Sequence, residues 1–305
     1  MKTSNLLTRS ITGALFTVLL VGSMLYGPLS FVLLFALISG LSIWEFCTIV
    51  NRHAHLQVNR FITTVAGVYL FFAVLGFNLN VMDAGIFIPY ILSIVYLLVS
   101  ELYFDRQNSI QNWAFTMMAQ LYVALPFALL NTLSFVAVSP ADGITTNGAS
   151  IAYTWVYTLS VFIFLWSSDS GAYCFGSMLG KHRLFPRISP KKSWEGSIGG
   201  GIVALIASQI LATYFPDFAV ETPLQQRLAW AGLALIVVIF GTWGDLVESL
   251  LKRKLNIKDS GNILPGHGGM LDRFDSSLLA IPMSVVYIYS LNTGAFSKLI
   301  AIIFG

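Results

Sequence analysis

Charged side chains are scarce in this chain of 305 residues, where they make up 10% of the sequence against about 25% in soluble proteins. With 56% hydrophobic residues and a mean hydropathy of +0.76, this scarcity excludes a soluble domain and predicts an integral membrane protein. The net charge of +3 is too small to indicate binding to nucleic acid. The two cysteines, Cys47 and Cys174, lie far apart in apolar segments and fit neither a disulfide framework nor a metal site. The sequence also lacks a Gly-x-x-x-x-Gly-Lys-Ser/Thr loop, which argues against a P-loop ATPase.

Long apolar runs are abundant in the chain. A membrane-spanning helix needs about 20 predominantly apolar residues, and about nine segments of the sequence reach that length. The runs are continuous rather than alternating, so the sequence predicts an all-α polytopic membrane protein without strands. No small-x-small cleavage site follows the first run, which we therefore expect to be retained. We place the segments at 11–27, 29–50, 61–79, 84–101, 115–138, 151–174, 197–215, 228–251 and 276–291.

The distribution of lysine and arginine predicts the orientation of the chain in the membrane. With a cytoplasmic N-terminus and alternating spans, all but two of the 17 cationic residues fall on the cytoplasmic side, the exceptions being Arg227 and Lys298. We expect a single membrane domain, in which residues 1–150 supply the N-terminal helices and residues 151–305 carry the polar loops. The apolar tail Ala295–Phe304 is too short to predict a tenth span.

Two basic loops are predicted on the cytoplasmic side. The first runs from 176 to 200, and the second, Ser249–Asp275, reads SLLKRKLNIKDSGNILPGHGGMLDRFD. Nothing in the packing of a bilayer helix requires this combination of cations, glycines and carboxylates. In the turn Gly266–Gly269, the missing Cβ atoms would let backbone N–H groups approach an anion such as phosphate.

Carboxylates inside or beside the apolar segments are a second unusual feature. Charged groups at membrane depth are costly and usually face a polar cavity. Helical spacing predicts one polar stripe formed by Gly241, Asp245, Glu248, Ser249 and Lys252. Further carboxylates lie towards the cytoplasmic side at Asp169, Asp272 and Asp275. Carboxylates beside many cations indicate phosphate chemistry through a hard divalent ion such as Mg²⁺.

Three motifs resemble those of one enzyme family, the phosphatidate cytidylyltransferases (CDP-diacylglycerol synthases). The family signature is similar to Ser-x-x-Lys-Arg, four residues, Lys-Asp, then Pro-x-His-Gly-Gly-x-x-Asp-Arg-x-Asp. The motifs SPKKSWEG at Ser189–Gly196 and DSGAY at Asp169–Tyr173 resemble the family's SPKKTWEG and Asp-Thr-Gly-Ala-Tyr. The resemblance covers the chain from about Trp166 onward, whereas the first 150 residues match only in being hydrophobic and multispanning. The signature is matched at Ser249, Lys252, Arg253, Lys258, Asp259, Pro265, His267, Gly268, Gly269, Asp272, Arg273 and Asp275.

The resemblance implies Mg²⁺-dependent transfer of CMP from CTP to phosphatidic acid, giving CDP-diacylglycerol and pyrophosphate. We expect a bacterial-type inner membrane, an active site on its cytoplasmic side, and CTP, phosphatidic acid and the bilayer as partners; a homodimer is left open. The resemblance suggests catalytic roles for Asp245, Asp272, Lys252 and Arg273. It suggests Mg²⁺ ligation by Asp245, Asp272 and Asp169. Substrate binding is expected of Lys191, Lys192, Ser249, Arg253, Lys258, His267, Gly268 and Gly269.

Other functions stay open on the residues alone. A cation-coupled secondary transporter could use Asp169, Asp245 and Glu248, although transporters often have repeats and helices broken mid-membrane, whereas these polar residues crowd one face and two loops. A CTP-dependent lipid kinase or an isoprenoid-chain cytidylyltransferase would need similar chemistry with a different acceptor.

Individual residues also have plainer interpretations. Lys252 and Arg253 could serve as anchors at the cytoplasmic interface. Asp275 could cap the ninth helix, and His267 could simply hold the shape of its turn. Glu45, near the cytoplasmic end of the second segment, is expected to reach the interface or to be paired.

Overall fold

The apolar runs fold as long helices, because a helix satisfies its backbone N–H and C=O groups internally within lipid. The computed structural model of the chain describes residues 2–104, 106–138, 144–146, 149–215, 218, 222–261, 263 and 268–293. Seven helices in this part of the chain are long and apolar enough to cross a membrane. They are Pro28–His53, Arg60–Asn78, Ala84–Phe104, Ser109–Ser134, Trp194–Tyr214, Pro223–Lys254 and Leu271–Asn292. The prediction of a multi-pass helical membrane protein is confirmed, while the count of nine spans and the orientation stay predictions.

The chain divides into two compact units. The first combines Met1–Trp155 with Leu250–Asp275, and the second combines Val156–Ser249 with Ser276–Gly305. Most of the second basic loop, Ser249–Asp275, therefore belongs to the same unit as the N-terminal half of the chain. The helices of the first unit are α1 (Lys2–Tyr26), α2 (Pro28–His53), α3 (Arg60–Asn78), α4 (Ile88–Phe104), α5 (Ser109–Met118), α6 (Leu125–Ser134) and the short α10 (Leu271–Phe274). A 3-10 turn at Ala84–Phe87 precedes α4, and a π-helix at Ala119–Ala124 joins α5 to α6.

Aromatic side chains fill the core of the first unit. Phe274, at the end of α10, is 1% exposed, and its ring centroid lies 5.1 Å from that of Phe127 and 6.0 Å from that of Phe16. Both contacts are edge-on, a favoured arrangement for aromatic pairs. Phe274 thus anchors the C-terminal end of the segment Ser249–Asp275 in the helical core. Further fully buried rings are Phe31, Phe35, Phe46 and Phe71.

The second unit contains α7 (Val156–Leu179), α8 (Trp194–Tyr214), most of α9 (Pro223–Lys254) and α11 (Ser277–Thr293). Glycines bring α7 and α8 together closely. A Cβ atom added to Gly200 would lie 2.5 Å from the carbonyl oxygen of Ser168, and one added to Gly171 would lie 2.9 Å from the Cα of Gly200. Small residues permit this close backbone approach, as at many helix interfaces in membranes.

Short strands are present where the sequence predicts none. In the first unit, β1 (Phe135–Val138), β2 (Ile144–Thr146) and β3 (Ala149–Tyr153) form an antiparallel sheet of order β1-β3-β2. The second unit contains the antiparallel hairpin of β4 (Arg183–Phe185) and β5 (Ser189–Ser193). Short apolar runs rich in aromatic and β-branched residues cannot be told from helix by periodicity alone.

The predicted bounds of the fifth and sixth segments, 115–138 and 151–174, are wrong. Helix α6 ends at Ser134, because Phe135 adopts an extended conformation with φ −118° and ψ 101°. Helix α7 starts at Val156 and continues to Leu179. The polar run Ser167–Ser170 lowers the hydropathy of α7, which is not among the seven apolar helices of the described chain.

Candidate functional site

The signature loop, residues 255–270, begins where α9 ends. The N–H of Ile257 donates to the carbonyl of Lys252 at 3.0 Å, and the N–H of Asn256 donates to the carbonyl of Arg253 at 3.3 Å. Asn256 has a positive φ of 53°. Together these features form a Schellman motif, which closes a helix with one left-handed residue. Lys252 and Arg253 therefore lie in the last turn of α9, where the helix C-terminus favours cations.

Lys252 forms an ion pair with Asp272, the second residue of α10. Its Nζ lies 2.9 Å from Oδ1 of Asp272, and the two side chains are 19% and 7% exposed. The other carboxylate oxygen, Oδ2, accepts hydrogen bonds from the N–H groups of Ser260 at 2.8 Å and Gly269 at 2.9 Å. The nearly buried carboxylate is thus held by one ammonium and two backbone donors, as buried charges require.

Each of the two described glycines of the turn excludes a side chain for a different structural reason. Gly268 has a φ of +84°, and a Cβ there would lie 2.7 Å from Oδ2 of Asp272. Gly269 leaves room for another carboxylate, because a Cβ there would collide with Glu45 and with the hydroxyl of Ser260. His267 and the first glycine of the turn lie outside the described residues, so its phosphate-binding role stays a prediction.

Glu45 is a buried residue of α2 that contacts this loop, and the sequence did not predict this contact. Its carboxylate accepts a hydrogen bond from the hydroxyl of Ser260 and from the N–H groups of Met270 at 2.9 Å and Leu271 at 3.1 Å. The expectation was that Glu45 reaches the interface or is paired, and these hydrogen bonds come from uncharged donors within the protein. The only sequence signal was a carboxylate inside an apolar run, and nothing in the sequence showed that its partners follow more than 200 positions later.

In the second unit, the basic hairpin (residues 181–193, containing β4 and β5) is fixed to the start of α8. Ser193 caps α8 by accepting the N–H of Gly196 at 3.2 Å. Glu195 accepts the N–H groups of Lys181 and His182, both at 3.2 Å, and its Oε1 lies 2.5 Å from Nδ1 of His182. These bonds hold the hairpin that carries Lys191 and Lys192.

Lys192 forms an ion pair with Asp245 of α9. The hydroxyl of Ser249, one turn further along the helix, donates to Oδ1 of Asp245 at 3.1 Å. Asp169 of α7 lies within electrostatic range of both charges of this pair. The second unit therefore brings together four residues that the sequence predicted, from α7, the basic hairpin and α9.

A cavity of about 570 Å³ lies beside this cluster. It is lined by Asp169, Lys191 and Lys192, and also by Arg183 of β4, which the sequence did not single out as a site residue. The guanidinium of Arg183 donates to the carbonyl of Lys191 at 3.3 Å. Three cations and one carboxylate at this cavity suit an anionic group such as phosphate. Hydroxyl groups are supplied by Ser168, Tyr173, Ser177, Ser193, Ser197, Thr242 and Ser276.

Further cations of the predicted site lie on the surface of the first unit, where Arg253 and Lys258, expected to bind substrate, and Arg273, expected to be catalytic, are exposed. The described residues contain no group of three or more His, Cys, Asp or Glu that could hold a metal. Mg²⁺ needs fewer protein ligands, because one or two carboxylates are typically completed by phosphate oxygens and waters. Asp169 and Asp245, which interact in the second unit, supply hard oxygen atoms of this kind.

The apolar helices and the cavity lined by three cations define a multi-pass membrane protein with a site suited to anionic groups. The chain belongs to the Cytidylyltransferase family, whose sequence pattern matches residues 7–291. The resemblance drawn from three motifs in the C-terminal half is thereby confirmed, and it extends over the N-terminal helices as well.

Individual relatives are similar to this chain over a limited length. The chain is 49% identical over 129 residues to a protein named phosphatidate cytidylyltransferase from Staphylococcus aureus (strain COL), covering 42% of this chain and 46% of that protein. It is 48% identical over 130 residues to the protein of the same name from Bacillus subtilis (strain 168), covering 43% and 46%. The chain spans about half the length of the curated relatives it matches.

Proposed function

We propose that this chain is a phosphatidate cytidylyltransferase, which transfers CMP from CTP to phosphatidic acid. A phosphate oxygen of phosphatidic acid attacks the α-phosphorus of CTP and forms a new P–O bond. The bond from the α-phosphorus to the oxygen that bridges it to the β-phosphorus breaks, and pyrophosphate leaves with that oxygen. Because the nucleophile is already anionic, catalysis needs alignment and charge neutralisation more than a strong base.

One observation carries this proposal: two carboxylates of the predicted site, Asp245 and Asp272, are each paired with a lysine of the motifs. Lys192 pairs with Asp245 in the second unit, and Lys252 pairs with Asp272 in the first. An ammonium has three N–H donors, so each lysine can keep its carboxylate and still bind a phosphate oxygen. The pairs therefore position two ammonium groups for phosphate binding and restrict the conformations of the lysine side chains.

The cavity of the second unit supplies the further groups that phosphate binding needs. Arg183 can bind two phosphate oxygens with its planar guanidinium, whereas Lys191 and Lys192 act as compact charges. Both lysines and Arg183 line the cavity. We assign these three residues to CTP or to the phosphate of phosphatidic acid. The first unit offers further cations for such anions at Arg253 of α9, Lys258 of the signature loop and Arg273 of α10.

The carboxylates are suited to Mg²⁺. Asp169 and Asp245 would hold the ion in the second unit, and Asp272 would offer a ligand on the first. When bound, Mg²⁺ would neutralise charge on the phosphate oxygens. Asp272 can accept this role through Oδ1, which accepts one bond from Lys252 and keeps a second lone pair, whereas Oδ2 uses both of its lone pairs for Ser260 and Gly269.

The orientation is part of the same proposal. The excess of lysine and arginine in alternate loops supports a cytoplasmic N-terminus and a site on the cytoplasmic face of a bacterial-type inner membrane. That face is the one to which CTP has access.

The direct test is an assay of the purified protein in mixed micelles with CTP and Mg²⁺. Phosphatidic acid, diacylglycerol and a polyprenyl phosphate are offered separately as acceptors, and lipid products are identified by mass spectrometry. We expect CDP-diacylglycerol from phosphatidic acid and little product from the others. A phosphorylated diacylglycerol would indicate a lipid kinase, and a preference for polyprenyl phosphate would indicate a different cytidylyltransferase.

A further inference from the structure

Glu45 is a buried carboxylate to which the proposed reaction assigns no part. Its residue is 5% exposed, and it lies in α2, in the half of the chain that carries no recognisable motif. Its oxygen atoms accept three hydrogen bonds, from the hydroxyl of Ser260 and the N–H groups of Met270 and Leu271. All three donors belong to the signature loop or to the first residue of α10.

The same loop atoms hold Asp272. The Ser260 hydroxyl that donates to Glu45 also accepts the N–H of Asp272 at 3.3 Å, and the N–H of Ser260 donates to Oδ2 of Asp272 at 2.8 Å. The second donor to Oδ2 is Gly269, which directly precedes Met270. Each backbone donor to Asp272 therefore belongs to, or is adjacent to, a residue bonded to Glu45.

The loop also approaches Glu45 at two glycines. A Cβ added to Gly261 would lie 2.7 Å from Oε2 of Glu45, and one added to Gly269 would collide with Oε1. Capping the start of α10 would need only the bonds from Met270 and Leu271. The additional contacts with Ser260 and Gly261 mean that the loop is folded around this carboxylate from two sides.

We propose that Glu45 is a positioning residue: it fixes the signature loop so that Asp272 presents its carboxylate to a divalent cation in the proposed reaction. This inference rests on the proposed function where it treats Asp272 as a metal ligand. Partners that orient a ligating carboxylate typically change metal affinity by about 10- to 100-fold when they are removed.

The test compares Glu45→Gln and Glu45→Asp with a matched control. Gln places an N–H₂ donor against backbone N–H groups, whereas Asp keeps the charge and is one methylene shorter. Glu101→Gln is the control, because Glu101 is also buried in the first unit, 6% exposed, and bonded to Arg106 at 2.6 Å and Asn112 at 2.9 Å. Neither Arg106 nor Asn112 lies in the signature loop.

Two quantities are measured for each variant. The first is the Mg²⁺ concentration that gives half-maximal activity, with KM for CTP determined at saturating Mg²⁺. The second is the rise in Tm that Mg²⁺ causes in the detergent-purified protein without substrates. We expect Glu45→Gln to raise the half-maximal Mg²⁺ concentration about tenfold, with KM for CTP changed less than about twofold, and Glu45→Asp to be intermediate. The Mg²⁺-dependent rise in Tm should shrink in Glu45→Gln, and we expect the same of Asp272→Asn.

A merely structural role would lower Tm without changing either response to Mg²⁺, as we expect of Glu101→Gln. An unchanged Mg²⁺ response in Glu45→Gln, or an equal loss in Glu101→Gln, overturns the inference. If Glu45→Gln does not fold, Glu45→Asp and Ser260→Ala decide it by the same readouts. If the wild-type protein makes no CDP-diacylglycerol but the Tm response still depends on Glu45, the proposed function fails and the positioning role stands.

Discussion

The Nζ atom of Lys252 lies 2.9 Å from Oδ1 of Asp272, so the last turn of α9 is joined to the start of α10 across the signature loop. Both side chains are largely shielded from solvent. A charge in such a place depends on its partner, because removing one member leaves the other uncompensated. The contribution of the pair to stability can therefore be separated from its contribution to the reaction by comparing single and double variants.

Replacing Lys252 with Met should lower both the turnover and the stability of the protein. We expect turnover to fall at least about 100-fold, because a cation for phosphate is lost, and Tm to fall by about 5 °C, because Asp272 loses its partner. The double variant Lys252→Met/Asp272→Asn should recover most of the Tm and none of the turnover. Activity in the double variant would show that the pair serves stability alone.

Replacing Asp245 with Asn should abolish turnover with little effect on folding. The amide oxygen can still accept the bond from Ser249, but it offers no negative charge to a cation. Turnover and Tm are measured beside Asp83→Asn, which alters an exposed carboxylate that accepts the N–H of Gly85. Near-normal rates from Asp245→Asn would remove this residue from the proposed Mg²⁺ ligands.

Arg183 lines the cavity although no motif singled it out, and its loss should weaken binding of phosphate-bearing substrates. We expect Arg183→Ala to raise KM for CTP or for phosphatidic acid about tenfold, the loss of about one charge-assisted contact, with a smaller change in kcat. Arg227→Ala is the control, because Arg227 is exposed and does not line the cavity. Equal KM values in the two variants would exclude Arg183 from substrate binding.

The close approach of α7 and α8 makes Gly200 intolerant of a side chain. Gly200→Ala places a Cβ 2.5 Å from the carbonyl of Ser168 and should destabilise the second unit by about 1–3 kcal/mol. Gly22→Ala is the matched control, since a Cβ there meets nothing within 4 Å and Ala favours a helix by up to about 1 kcal/mol. Thermal unfolding monitored by circular dichroism compares them, and similar Tm values would contradict the packing described.

Local features of the sequence were sufficient to predict a multi-pass helical protein and to single out the motif residues. Long apolar runs predict helices in lipid because no other open structure satisfies the backbone there. The sequence showed that Lys252 and Asp272 belong to one motif, but it did not show that their side chains form an ion pair. Glu45 could not be connected to Ser260, because the contact depends on how α2 packs against a loop far along the chain. The strands β1 and β3 were missed because short apolar runs fit either kind of structure.

The central claim is tested most directly by the position of a radiolabel. Purified protein is given phosphatidic acid, Mg²⁺ and CTP labelled either at the α-phosphorus or at the γ-phosphorus, and the lipid is extracted and counted. Cytidylyl transfer predicts label in the lipid from α-labelled CTP only, with the γ-label released as pyrophosphate. Label in the lipid from γ-labelled CTP, or from neither, would contradict the proposed function.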